Sequence, residues 1–151
     1  MTNTQIDFIN VALTQAKKAC SHDEVPIGAV VARNNKVISK AFNKREKSQN
    51  ALHHAEILAI SKACRRLKSW RLDDCELYVT LQPCIMCAGA ILNARIKKIY
   101  IGTLANKESE SSLDIYKSNA LNWKTEVEVL HNQESSDLLK KFFQQARTTS
   151  K

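Results

Sequence analysis

The sequence predicts a three-layer α/β/α sandwich, in which helices cover both faces of a mixed sheet of about five strands. Two observations predict it. Short β-branched runs alternate with segments whose apolar residues recur at helical spacing. The resulting order is α-β-β-α-β-α-β-β-α, so helices and strands must pack on one another in layers. The chain has 151 residues with a hydrophobic fraction of 44%, which predicts a single domain over residues 1–151.

The first predicted elements are a helix and a pair of strands. Apolar residues at helical spacing follow Thr4 and predict an amphipathic helix that ends near Cys20; they are Ile6, Ile9, Leu13 and Ala16. The runs "VPIGAVVA" and "KVISKAF" predict two strands joined at Arg33-Asn34-Asn35. This half of the chain therefore predicts a helix followed by a hairpin.

The second half of the chain is predicted to alternate helices with strands. Helices are expected over 54–67, 84–94 and about 135–147, and strands over 76–81, 97–102 and 125–130. Pro83 ends one strand, and a polar loop rich in Ser and Glu follows Gly102. The helices beginning at His54 and Cys84 each follow a strand or loop from the same side. Their amino termini are therefore expected to face each other at one edge of the sheet.

Composition and charge restrict the function classes. No apolar run approaches the roughly 20 residues of a membrane span, and no basic region leads into an apolar stretch as in a signal peptide. We therefore expect a cytoplasmic protein without a membrane partner.

The net charge is +8, and the basic residues cluster around 40–47, 65–71 and 95–98. Composition alone leaves open a phosphate-bearing partner or a merely solvated basic surface.

Two of the five cysteines form a local pattern. Five is an odd number, and a reducing compartment disfavours a disulfide framework, so the isolated Cys20, Cys64 and Cys75 are expected to be small buried side chains. Cys84 and Cys87 lie three apart in "TLQPCIMCAGA" and share one face of a helix's first turn. A helix amino terminus favours thiolates, and two adjacent thiolates favour a divalent cation, for which zinc is the best match.

The remaining ligand is expected from "HHAE" at the start of the other helix. The chain has no second C-x-x-C pair, so one histidine and two cysteines leave a fourth tetrahedral position for water, as in catalytic zinc sites. His54 is preferred over the alternative His53. Glu56 follows His54 by two residues, about 200° around a helix, and is expected to act as a base beside the water rather than as a ligand.

These residues match a known signature. His54-x-Glu56 followed by Pro83-Cys84-x-x-Cys87 is the H-x-E…P-C-x-x-C pattern of zinc nucleobase deaminases. The chain resembles the bacterial tRNA-specific adenosine deaminases of the cytidine deaminase superfamily over nearly its whole length. The resemblance covers "VPIGAVV", the Asn43 that follows the second strand, "HAEI", "LYVTLQPCIMCAGAILNARIKKIYIG" and "DLLKKFFQQAR". It implies a cytidine deaminase-like fold.

The resemblance also implies an activity and partners. It implies hydrolytic conversion of adenosine to inosine at the tRNA wobble position, with one Zn²⁺ per subunit and Glu56 moving the protons. Asn43 would hydrogen-bond the target base, with Ala55 and Pro83 nearby; the alternative role for Asn43 is a turn residue at a strand end. Members of the family form homodimers whose site for the tRNA anticodon loop draws on both subunits. The basic clusters agree with an RNA that presents a splayed base.

Three departures from the family pattern keep a second function open. Gln82 precedes Pro83 where the family commonly has Glu, and Leu52-His53 precedes the ligand where a Thr or small residue is frequent. Ala105 stands where an acidic residue is expected, in a loop without glycine. The zinc chemistry is unaffected, but the alternative is a deaminase of a free nucleobase or nucleoside, of guanine or cytosine type. A non-enzymatic zinc-stabilised RNA-binding module is a third hypothesis, and Glu56→Gln discriminates it.

Overall fold

The computed structural model describes residues 2–118 and 122–149. Its helices are α1 (Asn3–Ser21), α2 (Arg45–Ser48), α3 (Ala55–Leu67), α4 (Ile85–Asn93) and α5 (Gln133–Thr149). Its strands are β1 (Gly28–Arg33), β2 (Lys36–Phe42), β3 (Glu76–Leu81), β4 (Lys98–Thr103) and β5 (Glu126–Val129), and a 3₁₀ helix spans Lys107–Lys117. All the predicted elements are present, with boundaries that differ by up to three residues. None of the helices in the described ranges has the length and apolar character that crossing a membrane requires.

The five strands form one mixed sheet in the order β2-β1-β3-β4-β5. Strand β1 runs antiparallel to β2 and to β3, whereas β3, β4 and β5 run parallel. The β1–β2 turn places Asn34 and Asn35 at φ 51° and 60°. Asparagine tolerates this left-handed conformation better than most residues, which favours the tight hairpin. The predicted mixed sheet of five strands is confirmed.

Helices cover both faces of the sheet, so the predicted three layers are confirmed. Alternate residues of the strands point to opposite faces. Val30 and Tyr78 pack with Phe8 of α1, and Val31 and Val79 pack in the larger core with α3 and α4. Helix α5 contacts α1 and the adjacent strands β3 and β4. The two helices that carry the cysteine and histidine motifs therefore lie together on one face.

Two glycines differ in the space that their surroundings leave for a side chain, and this difference predicts opposite effects on stability. A methyl group at Gly28 would lie 1.9 Å from the Ala12 carbonyl oxygen, because α1 packs directly on β1. We expect Gly28→Ala to lower the free energy of unfolding by about 3 kcal/mol. Gly89 lies within α4, and apart from the helix's own backbone and its chain neighbours no atom of the described residues lies within 4 Å of the added methyl group. Gly89→Ala should therefore raise the free energy of unfolding by about 1 kcal/mol. Denaturant titration measures both, and a Gly28→Ala variant as stable as the wild type would contradict the close packing.

The segment after β4 differs from the prediction. A polar loop was expected there, and the structure has an eleven-residue 3₁₀ helix over Lys107–Lys117. Asn106 caps it, with Oδ1 accepting a hydrogen bond from the Ser109 N–H at 2.8 Å. Tyr116, which is 1% exposed, anchors its other end in the core. Serine hydroxyls and one buried aromatic residue therefore order a segment whose composition indicated a loop.

Candidate active site

Two helix amino termini meet at the candidate site. His54 is the N-cap residue of α3 and Cys84 is the N-cap residue of α4, both with extended backbone. Pro83 separates Cys84 from the end of β3, and Cys87 lies in the first turn of α4. The expectation that these two helices begin at the same edge of the sheet is therefore met.

Three ligand atoms converge between these helix starts. His54 Nδ1 lies 3.6 Å from the Cys84 sulfur and 3.5 Å from the Cys87 sulfur. The three atoms lie within 4.8 Å of one another. A nitrogen and a sulfur bound to one tetrahedral ion at about 2.0 and 2.3 Å would be separated by about 3.5 Å. The group is therefore placed to hold a metal ion, with one coordination position left for another ligand.

The protonation of the ligands agrees with metal binding. Burial and the nearby Arg45 lower the pKa of His54, so its imidazole is neutral and can donate a lone pair. Burial, with Glu56 and Cys84 adding to it, raises the pKa of the Cys87 thiol. A buried thiol in this environment ionises only when a cation compensates the negative charge. The donor set of one nitrogen and two sulfurs thus suits a soft or borderline divalent cation.

Glu56 lies beside the metal-binding group and outside it. Among the described residues, the group that could hold a metal ion comprises His54, Cys84 and Cys87. The Glu56 side chain is 3% exposed, and its Oε1 has no hydrogen-bond partner among the described residues. Burial raises the pKa of Glu56 to about 7, although its own backbone and the Cys87 thiol lower it. A carboxyl group with such a pKa and a free oxygen can take up and release a proton near neutral pH.

The three other predicted site residues lie around these helix starts. Asn43 is buried, its Oδ1 accepts from the Arg45 N–H at 3.2 Å, and its Nδ2 donates to the Val25 carbonyl at 3.4 Å. These two hydrogen bonds are those expected of a turn residue at a strand end, and they engage one hydrogen of the Asn43 amide. Ala55 is the first residue of α3, whose N–H has no acceptor within the helix. Pro83 is buried next to Cys84.

Two residues near the site were missed in the sequence. The Glu24 carboxylate is 1% exposed and accepts the backbone N–H groups of Glu46 at 3.0 Å and Lys47 at 2.7 Å. It thereby fixes the turn that contains Asn43. The Tyr116 hydroxyl is buried without a partner in the described part of the chain, and its pKa is raised by burial and by the nearby Glu56. Neither has a sequence signal, because both act through contacts with distant parts of the chain.

A cavity of about 310 Å³ opens beside Cys84. Its wall includes Gln82, Pro83, Ser112 and Tyr116. A second cavity, of about 450 Å³, lies between α5 and the ends of β3 and β4 and contains none of the metal-binding residues. The first cavity is the better candidate for substrate because it adjoins Cys84, one of the three residues placed to hold a metal ion.

The fold and the site define a class, the nucleobase deaminases with a histidine and two cysteines at the metal. The model of the MafB19-like deaminase family matches residues 3–147. The tRNA-specific adenosine deaminase of Aquifex aeolicus is 42% identical over 93% of this chain and 94% of its own. The chain belongs to the tRNA-specific adenosine deaminase family.

Solved structures agree with the sequence comparison. A structure from work on A-to-I editing by tRNA:A34 deaminases at the wobble position of transfer RNA matches with a TM-score of 0.83 and 37% identity, covering 89% of this chain and 99% of that one. The guanine deaminase of Bacillus subtilis matches with a TM-score of 0.66 and 29% identity, covering 95% of each chain. The predicted family and fold are thereby confirmed.

Proposed function

We propose that this protein is a zinc-dependent hydrolytic deaminase that converts adenosine to inosine at the wobble position of tRNA. One observation carries the proposal. In a chain of the tRNA-specific adenosine deaminase family, His54, Cys84 and Cys87 converge on the space of a single ion beside Glu56, whose Oε1 has no partner among the described residues. The reaction consumes one water molecule and releases one ammonia molecule for each inosine formed.

The metal of the proposed site is one Zn²⁺ per subunit. His54, Cys84 and Cys87 would hold it, and the two sulfurs favour zinc over magnesium or calcium, which prefer oxygen ligands. When bound, the ion acidifies a water molecule in the open coordination position. This role requires a neutral His54, which its lowered pKa favours, and a Cys87 thiolate, which the raised pKa of the thiol permits only when the ion compensates its charge.

Glu56 is the proposed general base and acid. Its free Oε1 takes the proton from the attacking water and delivers it to the ring nitrogen of adenine. Glu56 next takes the proton of the new C6 hydroxyl and passes it to the departing amine, so that the C6–N bond breaks, the C6 carbonyl forms and ammonia rather than an amide ion leaves. The low exposure of this carboxyl limits its exchange of protons with bulk water.

The proposed substrate contacts are those around the helix starts. Asn43 would use its remaining amide hydrogen on the target base, and Ala55 and Pro83 would line the space next to it. The partner is the tRNA anticodon loop, bound by a cytoplasmic homodimer of this single domain. The exposed Trp70, against which Arg71 and Arg95 lie at 5.3 and 6.0 Å, supports an RNA partner. Aromatic faces and guanidinium groups are frequent contacts for unpaired bases and phosphates.

The deciding experiment measures inosine in an anticodon stem-loop that carries adenosine at the wobble position. We expect inosine at that position only, loss of activity after chelation, and recovery when zinc is returned. The alternative is a free-base deaminase, and the observation behind it is the weaker structural match to a guanine deaminase. Rapid conversion of guanine, with the stem-loop left unchanged, would overturn the proposal in favour of that alternative.

A further inference from the structure

The side chain of Gln82 binds the segment that follows β4. Its Nε2 donates to the Ser109 carbonyl at 2.9 Å and to the Ser112 hydroxyl at 2.7 Å. Its Oε1 accepts from the Ala105 N–H at 3.2 Å and lies 2.7 Å from the Ser109 hydroxyl, whose single hydrogen it shares with the Asn106 carbonyl at 2.7 Å. Gln82 is 9% exposed, and all four contacts lie within residues 105–112. A single buried side chain therefore holds the first half of the 3₁₀ helix.

These contacts favour an amide over a carboxylate. The Ser112 hydroxyl donates its hydrogen to the Ser109 carbonyl at 2.6 Å, so it can only accept from Gln82. The Ser109 carbonyl has no hydrogen to give. A glutamate would place its second oxygen against the Ser109 carbonyl, and it would keep the Ser112 contact only if that hydroxyl turned away from the Ser109 carbonyl. Gln82 and the glycine-free segment, two of the departures from the family pattern, thus form one structural unit.

This unit forms a wall of the cavity beside Cys84. Pro83, which is conformationally stiff, connects Gln82 to that cysteine. At the other end of the 3₁₀ helix, the Tyr116 carbonyl accepts from the Thr125 N–H at 3.0 Å and the Tyr116 ring is buried. Ser111 and Ser112 lie between the two anchors and line the cavity. Loss of the Gln82 contacts would therefore free the segment 105–112, while Tyr116 would still hold the other end of the 3₁₀ helix in the core.

We propose that Gln82 is a positioning residue that fixes the wall formed by residues 105–112 and thereby sets how tightly RNA binds. The inference rests on the proposed function, since the substrate is taken to be the anticodon loop. Gln82 is not among the metal-binding atoms and has no contact with Glu56 in its hydrogen-bond set. Its removal is expected to change KM and to leave the chemical step and the metal content intact.

The test compares Gln82→Glu and Gln82→Met with the control Gln133→Glu, an exposed glutamine whose amide binds Asp137. With the anticodon stem-loop, both Gln82 variants should raise KM about tenfold, the effect of losing a buried hydrogen-bond set. The kcat should remain within about twofold, as for general binding losses. Zinc content should match that of the wild type. An unchanged KM in both variants, or a fall in kcat with loss of zinc, would overturn the proposal.

Hydrogen exchange tests the same contact without any substrate. The Ala105 N–H is bound to Gln82 in the wild type, so Gln82→Met should speed its exchange about tenfold while the amides of α3 are unaffected. Unchanged exchange at Ala105 would overturn the positioning role. If the wild type made no inosine in RNA, the proposed function would fail, and this measurement would still decide whether Gln82 holds the segment.

Discussion

Replacing Glu56 by Gln is expected to reduce kcat for inosine formation by at least about 10³-fold, because general acid–base catalysis contributes up to about 10⁴-fold. The amide has the same shape as the carboxyl group, but it cannot accept the proton of the attacking water at neutral pH. Since Glu56 is not one of the metal-binding residues, the variant should keep its zinc. Inosine formation under single-turnover conditions and zinc content per chain are the two measurements.

The matched control is Glu126→Gln, the same change at an exposed position of β5. It should retain wild-type turnover and zinc. A Glu56→Gln variant that still deaminates RNA at the wild-type rate would exclude Glu56 as the general base. A variant that loses zinc with its activity would instead make Glu56 part of the metal site. An RNA-binding module without enzymatic activity would keep its RNA affinity and show no turnover in any variant.

The sequence could predict the layers and the convergence of the candidate ligands, because both follow from local patterns. Pro83 marks the boundary between β3 and α4, and the spacing of Cys84 and Cys87 places both at one helix start. The distance between those sulfurs and His54 depends on the packing of α3 beside α4. The H-x-E…P-C-x-x-C signature supplies that information only by likeness to other proteins.

The segment after β4 could not be predicted in the same way. Its order depends on the bonds from Gln82 to Ser109 and Ser112, which lie 27 and 30 residues further along the chain. Such long-range hydrogen bonds have no periodicity, so polar composition indicated a loop. Glu24 was missed for the same reason, since its partners are backbone N–H groups 22 and 23 residues away. The sequence marked Gln82 as unusual, and only the structure shows what it binds.

Replacing Cys87 by Ser is expected to remove the metal and to lower the rate of inosine formation at least about 10³-fold, because zinc-activated water is the proposed nucleophile. Cys87 is fully buried, and a serine hydroxyl does not ionise to become an anionic ligand as a thiol does. Two remaining ligands would hold zinc far more weakly. Zinc content per chain and inosine formation measure the effect, and added zinc should not restore the variant.

The matched control for this prediction is Cys64→Ser, a partly buried cysteine outside the metal-binding group. It should keep its zinc and its activity.

Wild-type protein treated with a chelator should lose activity as Cys87→Ser does. Added zinc should restore the activity of the wild type, and this recovery distinguishes loss of the metal from misfolding. The metal-free wild type should also unfold at a lower temperature, since binding energy in the native state adds to stability. A Cys87→Ser variant with one tightly held zinc per chain would show that the metal uses other ligands.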